Sequence, residues 1–413
     1  MRVQIVFVIV AVIFTVLVDW YIWADIKRNT RRRRRNRRRW RRVYLISCVV
    51  CWAVLAVALC LPRRGPDSIL PVMWLLYGYL TVYLPKLVFV LVSLIGGIPR
   101  LFGKKTFRLG LYAGLPLAAV VFLLMWWGAF GGRQAIEVNR VDISSARLPE
   151  SFDGYRIAQF SDAHVGTWGR DTLFVSRLVD SINSLKPDLI VFTGDIVNRR
   201  TSEITPFIPV LSRLKAKDGV LSILGNHDYG DYYSWEKPEF RDENNRLLAE
   251  IQTNMGWKLL NNETRFVKAG GDSIAVIGVE NWGEPPFPTY GKLGDAYSYS
   301  PDSALHLNDS RFKVLLSHNP EHWRQEVSKK TNVDLTLSGH THAMQVMLRA
   351  GDRRWSPARY KYEQWGGLYE AVNEKGEPVR IYVNIGCGEV GMPYRVGAPS
   401  EITLITLRRP SGK

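Results

Sequence analysis

Three almost continuous apolar runs, Val3–Ala24, Val43–Leu61 and Leu109–Phe130, occupy the first third of the chain. Each approaches the ~20 residues a helix needs to cross the hydrocarbon core of a bilayer. Lipid offers backbone N–H and C=O groups no water, so runs of this kind must be helical to satisfy themselves. A fourth run, Ile69–Ile98, is longer and contains Pro71, Pro85 and Lys86. It reads as one kinked span, with Lys86 either buried against neighbours or snorkelling. A re-entrant pair is the other reading, and it would reverse the side on which the rest of the chain lies. The first run lacks a strongly basic start and a small-residue cleavage site, so it reads as an uncleaved span, not a secretion signal.

The formal charge of +17 has to be located before it is interpreted. Residues 1–136 hold 21 Lys+Arg against Asp19, Asp25 and Asp67, which leaves 34 basic and 35 acidic residues for the remainder. The excess therefore belongs to the membrane region, and a nucleic-acid partner for the main domain loses its chief support. Ten arginines fall between Arg31 and Arg42. A loop spanning 27–42 with that composition stays cytoplasmic and meets anionic lipid headgroups. Arg100, Lys104, Lys105 and Arg108 form a second basic loop, whereas the intervening one has only Arg63 and Arg64. Alternation over four spans then integrates the chain in the cell (inner) membrane and places everything after Phe130 outside the cytoplasm, in the periplasm of a bacterial-type cell. Cys387 is the single cysteine beyond the apolar runs, so neither a disulfide framework nor a thiolate metal site is expected there.

The expected organisation is a transmembrane region of about four helices over 1–130, a linker over 131–146 and a folded domain over 147–413. Within that domain, runs rich in β-branched residues recur and are closed by turns: Tyr155–Phe160, Leu189–Phe192, Val220–Leu224, Ser273–Val279, Phe312–Leu316, Val333–Leu337, Ile381–Ile385 and Ile402–Leu407. Helical patterns lie between the early ones, at Thr172–Leu185 and Glu203–Leu214. This alternation predicts an α/β fold with ligands at the carboxyl ends of its strands.

Polar clusters stand at those ends: Asp162-Ala-His164, Gly194-Asp195, Gly225-Asn226-His227-Asp228, a lone His318, and Gly339-His340-Thr341-His342. In extended backbone, residues i and i+2 project to one side, so Asp162 and His164 are expected to reach the same ion. Asp195 has two oxygens and is able to bridge two cations. Taken singly, a Gly-Asp or a lone histidine is a turn feature or a core residue. Five of the seven histidines occupy these ends, however, and only His306 and His322 lie elsewhere. The donors are all nitrogen and oxygen, which suits Mn, Fe, Zn or Ni.

The order D-x-H, G-D, G-N-H-D, H, G-H-T-H resembles the calcineurin-like metallophosphoesterase superfamily over roughly residues 150–409. Ser317-His318-Asn319-Pro320, with Gly388–Arg395 and Glu401-Ile402, resembles its membrane-attached bacterial subgroup. The resemblance implies a two-sheet sandwich flanked by helices. It implies one divalent ion, Mn foremost, on Asp162, His164 and His342, and a second on Asn226, His318 and His340, with Asp195 between them. His227 would not be a ligand; it would stabilise the transition state or protonate the leaving oxygen. Two cations ~3.5–4 Å apart can share a hydroxide for in-line attack on phosphorus.

Two departures from the family pattern bear on the chemistry. Many relatives carry an acid where this chain has Asn198, which leaves Asp228 as the expected partner of His227. Relatives often read Gly-Gly-Gln after the last histidines, where this chain reads Ala343-Met344-Gln345. Arg395 is a candidate for a phosphate contact, with a surface salt bridge as its other reading.

Aromatic residues crowd the later loops, among them Trp168, Tyr232, Trp282, Trp355 and Tyr360. They are either packing residues or an apolar rim suited to a lipid tail. The expected function is hydrolysis of a phosphomonoester, phosphodiester or pyrophosphate bond in a lipid-linked or envelope substrate. The alternatives are a UDP-2,3-diacylglucosamine pyrophosphatase-like enzyme, or a membrane protein that binds a phosphorylated ligand without turnover.

Overall fold

The computed structural model describes residues 2–29, 34–61, 69–103, 108–285, 287–298 and 310–410. It divides into two compact units, Met1–Ala129 and Phe130–Lys413.

The first unit is helical: α1 (Arg2–Asn29), α2 (Arg34–Cys60), α3 (Ile69–Gly97) and α4 (Leu115–Phe130). Among the described residues, three helical stretches, Arg38–Cys60, Ile69–Gly97 and Gly110–Gln134, are long and apolar enough to cross a membrane. Helix α3 runs unbroken through Pro85, so this stretch is one continuous helix and not a re-entrant pair. Lys86 is half-buried and paired, not snorkelling. Its ammonium is 3.0 Å from Asp19 Oδ1, and the Asp19 carboxylate also accepts from the Tyr44 and Tyr83 hydroxyls, each at 2.7 Å. A charge among apolar helices persists only with such partners. The arginine-rich stretch is less of a loop than expected, because Lys27–Asn29 end α1 and Arg34–Arg42 begin α2. Arginine is a good helix former, and nothing there breaks the helices. Arg31–Arg33, Arg63, Arg64, Lys104 and Lys105, which carry part of the topology reading, lie outside the described residues.

The second unit begins earlier than the sequence reading allowed. Arg133 is buried and forms a two-point ion pair with Glu389, Nε to Oε1 at 3.2 Å and Nη2 to Oε2 at 3.1 Å. Ile136–Ser144, expected as linker, is a nine-residue strand, β1. It pairs in parallel with the last strand, β14 (Ser400–Arg408). The element exists because of a partner more than 250 residues away in the chain, a relationship that local pattern does not carry.

Two six-stranded sheets face each other. In the first, β2 (Arg156–Phe160), β3 (Leu189–Phe192), β4 (Val220–Ser222) and β5 (Trp257–Leu259) run parallel, and β14 joins β2 antiparallel. The second has the order β12-β13-β9-β8-β7-β6. Its parallel centre is β7 (Asp272–Gly278), β8 (Lys313–Leu316), β9 (Leu335–Ser338) and β13 (Pro378–Val383). The edges β6 (Glu263–Ala269) and β12 (Gly367–Val372) are antiparallel.

Strand alternation sorts the side chains between layers. Ile157, Leu189, Val191 and Leu221 from the first sheet pack against Ile274, Val276, Val314 and Leu335 from the second. Phe160, Ile190 and Phe192 point the other way, onto Phe174, Leu178 and Ile182 of α5 (Leu173–Ser184). Each such side chain contributes about 1.5–3 kcal/mol of transfer free energy, so the inter-sheet layer fixes both sets of strand ends relative to one another. The helical pattern at Glu203–Leu214 becomes a 3₁₀ segment, Thr201–Phe207, and a single turn, α6 (Ile208–Leu211). Pro206 and Pro209 remove the N–H donors a longer helix would use.

Candidate metal centre

The carboxyl ends of β2, β3, β4, β8 and β9 deliver Asp162, Asp195, Asn226 with His227, His318 and His340 to one place. The backbone there is not extended. Asp162 (φ 52°), His164 (φ 39°), Asp195 (φ 62°), His340 (φ 75°) and His342 (φ 51°) all adopt left-handed conformations. Asp162 and His164 therefore converge through a tight turn, not through strand alternation as the sequence argument supposed. Gly194 (φ 94°) shows why space is scarce: a Cβ there would lie 2.5 Å from Gly225 N and 2.9 Å from His318 Nδ1.

One group of donors is Asp162, His164 and His342, and another is Asp195, His318 and His340. In the first, His342 Nε2 is 3.2 Å from Asp162 Oδ1 and 3.1 Å from His164 Nε2. In the second, His318 Nε2 is 3.2 Å from Asp195 Oδ2, 3.2 Å from His340 Nδ1 and 3.1 Å from Asn226 Oδ1. Asp195 Oδ2 also lies 3.6 Å from His164 Nε2, which puts one carboxylate oxygen between the groups.

Outer contacts set the tautomers. His164 Nδ1 is 3.1 Å from the Val197 carbonyl and His318 Nδ1 is 2.8 Å from that of Thr193. Both Nδ1 atoms therefore carry hydrogen and donate it, which leaves the Nε2 lone pairs facing the centre. His340 Nε2 meets the Tyr362 hydroxyl at 3.1 Å, so Nδ1 is its inward atom. Asn226 donates from Nδ2 to the Tyr232 hydroxyl at 2.9 Å, which turns its oxygen toward His318.

Charge follows the same plan. Burial raises the Asp162 carboxyl, but His342 and His318 outweigh it and hold it low. Asp195, likewise raised by burial, is held well below the usual carboxylate range by His318 and His227. Burial and His227 depress His164, while burial and His318 depress His340 to about 3. Burial lowers His318, yet Asp195 prevails and lifts it to about 9, so its Nε2 lone pair becomes available only as a cation displaces the proton there. Two ionised carboxylates, an amide oxygen and converging imidazole lone pairs, most of them buried, form a donor set that fits two divalent cations.

His227 is half-buried and itself groups with His164 and Asp195, within reach of the same centre. Its Nδ1 is 2.6 Å from the Asn198 carbonyl, its N–H donates to Asp195 Oδ1 at 2.8 Å, and the Tyr232 ring stacks on it at 4.2 Å. Asp228 is not its partner. That carboxylate accepts from the backbone amides of Asp195 (2.8 Å), Ile196 (2.9 Å), Val197 (3.3 Å) and Gly225 (2.9 Å), and so shapes the loop that presents Asp195. Arg395 is 0% exposed and donates to the carbonyls of Ile385, Gly388 and Ala398, which closes it off from any phosphate as placed. The Val197, Thr193 and Asn198 carbonyls escaped the sequence reading because a backbone oxygen has no residue signature. Tyr362 had one only as an aromatic in a crowded loop.

Residues 1–133 match the family model described as "Probable Calcineurin-like phosphoesterase, transmembrane domain", and residues 155–344 match "Calcineurin-like phosphoesterase". The chain is 31% identical over 320 residues to the metallophosphoesterase YkuE of Bacillus subtilis (strain 168), a match covering 74% of this chain and 97% of that protein. It is 28% identical over 301 residues to a transmembrane protein with metallophosphoesterase domain from Danio rerio, covering 70% and 61%. It is also 27% identical over 282 residues to the UDP-2,3-diacylglucosamine pyrophosphatase LpxG of Chlamydia trachomatis serovar D, covering 58% and 79%. The chain belongs to the calcineurin-like metallophosphoesterases. It is a phosphoester hydrolase that carries an N-terminal transmembrane domain.

Proposed function

We propose that this membrane-integral hydrolase uses two divalent ions to cleave a phosphoester or pyrophosphate bond in a lipid-linked or envelope substrate. Asp162, His164 and His342 would hold one ion, Asn226, His318 and His340 the other, with Asp195 between them. The reading rests on one observation: Asp195 Oδ2 lies within 3.2 Å of His318 Nε2 and 3.6 Å of His164 Nε2, so both donor groups share it. Nitrogen and oxygen donors favour Mn, with Fe, Zn or Ni also suited. Bound divalent ions supply Lewis acidity toward the phosphoryl oxygens and an activated water near neutral pH.

The side chains do the rest. The Asn198 carbonyl holds hydrogen on His227 Nδ1, which leaves Nε2 to hold or deliver a proton at the departing oxygen. Tyr232, stacked on the same ring, keeps its plane fixed and shields one face from water.

Similarity to the Chlamydia enzyme favours a lipid-sugar nucleotide as a second reading of the substrate. The first reading places the catalytic unit outside the cytoplasm, whereas the second requires it inside. A C-terminal reporter fusion separates the two.

The decisive assay uses detergent-solubilised full chain with Mn²⁺ and a panel of lipid phosphates, diacylglucosamine nucleotides and aryl phosphodiesters. Asp195→Asn and His227→Ala should each lower turnover by about 100-fold or more. Unchanged turnover in either variant removes the mechanism.

A further inference from the structure

The segment after the last histidines builds a surface that the hydrolytic reading does not use. Two short strands, β10 (Leu348–Ala350) and β11 (Arg353–Trp355), pair as an antiparallel hairpin. Leu348 lies opposite Trp355, and Ala350 opposite Arg353. By strand alternation these four share one face. Tyr360 sets its ring edge-on to Trp355 at 6.4 Å and is 80% exposed, while Leu348 is 60% exposed. The other face is committed elsewhere: Arg349 grips Glu137 through two bonds of 2.8 Å.

Cations surround the apolar face. Arg353, Arg359 and Lys361 are exposed, and among the described residues none has a carboxylate within ion-pair distance. Lys361 lies over the Tyr362 ring, at 4.9 Å, and its charge also reaches His340. Asp352 is the one acid from Met344 to Tyr362. The unit as a whole is close to neutral, so this concentration is local. Apolar and aromatic side chains ringed by unpaired cations match the boundary of an anionic lipid layer, where acyl chains receive the former and headgroups the latter.

The surface also adjoins the centre. Ser356 Oγ donates to the Ala343 carbonyl at 2.5 Å, next to His342, and the Tyr362 hydroxyl touches His340.

We propose that the Leu348–Lys361 face is an interfacial docking surface by which the catalytic unit seats on anionic lipid headgroups. It does not depend on the substrate being a lipid. Other polyanions share the headgroups' charge, so the test separates lipid from them.

Hydrogen exchange by mass spectrometry of the full chain in nanodiscs provides that separation. Peptides covering 348–361 should exchange at least about fivefold more slowly in discs containing phosphatidylglycerol than in phosphatidylcholine discs, with β3 peptides unchanged as the fold control. The triple variant Arg353→Glu, Arg359→Glu, Lys361→Glu should lose that protection and keep the thermal midpoint of the unaltered protein. Equal exchange in the two lipids overturns the proposal. So does equal protection by a single-stranded oligonucleotide in phosphatidylcholine discs, which would assign the face to nucleic acid. Because no turnover is read, these outcomes are independent of the hydrolytic assay.

Discussion

His227 Nδ1 stands 2.6 Å from the carbonyl oxygen of Asn198, a partner that no change of side chain at position 198 deletes. The Asn198 side chain works elsewhere: Nδ2 donates to Thr167 Oγ1 at 3.1 Å and approaches the Glu389 carbonyl at 3.4 Å. Asn198→Ala should therefore keep turnover within about tenfold of the unaltered protein, whereas His227→Ala costs about 10²–10⁴-fold. Asn198→Asp, which recreates the acid of many relatives, should not raise turnover. It sets a buried carboxylate against two acceptors and beside Glu203, and should cost about 1–3 kcal/mol of stability. Turnover and thermal midpoints of the three variants check the set, and a faster Asn198→Asp enzyme would refute the carbonyl's role.

The shared position of Asp195 makes metal content a sharper readout than rate. His164→Ala should lower the affinity of one ion, and His318→Ala that of the other, by about 10–100-fold or more. Asp195→Asn should weaken both together. Mass spectrometric metal analysis of the dialysed full chain distinguishes these patterns. Loss of a single ion in Asp195→Asn would show that the carboxylate does not join the two groups.

Much of the centre was legible because its ligands follow buried strands whose β-branched runs announce themselves. Leu189–Phe192 occupies the range the sequence marked, and Asp195 follows it directly. What failed was either non-local or stereochemical. Strand β1 needs β14 to exist. The hairpin β10–β11 has three residues per strand, too few for any period to register. The turn at Asp162–His164 depends on left-handed backbone, which a sequence without glycine at those positions does not reveal. Asp228 and Arg395 were read as chemistry because both are charged, yet each spends its charge on backbone groups.

The same stereochemistry accounts for the departure at Ala343-Met344. Ala343 (φ 49°, ψ 30°) and Met344 (φ 47°, ψ 29°) both lie in the left-handed region, where relatives place glycines. A non-glycine residue pays about 1–2 kcal/mol there, while glycine loses some of that gain to unfolded-chain entropy. Met344 is 41% exposed and gives up little packing. Met344→Gly should thus stabilise the protein by about 0.5–1 kcal/mol, a rise of about 1–3 °C in thermal midpoint. A fall in midpoint would mean that the Met344 side chain outweighs its strained backbone.

His322 carries the clearest pH dependence outside the centre. Its ring is fully buried, stacks on Trp282 at 5.5 Å and has Nδ1 2.9 Å from Ser317 Oγ. Burial pushes its imidazole from 6.5 down to about 4. The unfolded chain therefore takes up this proton first as pH falls. The associated stability is whole above about pH 6.5, drains away between there and about pH 4, and is constant below, amounting to about 3 kcal/mol. Glu326 Oε2, 3.6 Å from Nε2 but on a side chain 40% exposed, is too distant for a hydrogen bond and offsets only part of the loss. His322→Gln removes the titration, so the difference between midpoints at about pH 7.5 and about pH 4.5 should shrink relative to the unaltered protein. An unchanged difference would show that the buried imidazole is not what acid attacks.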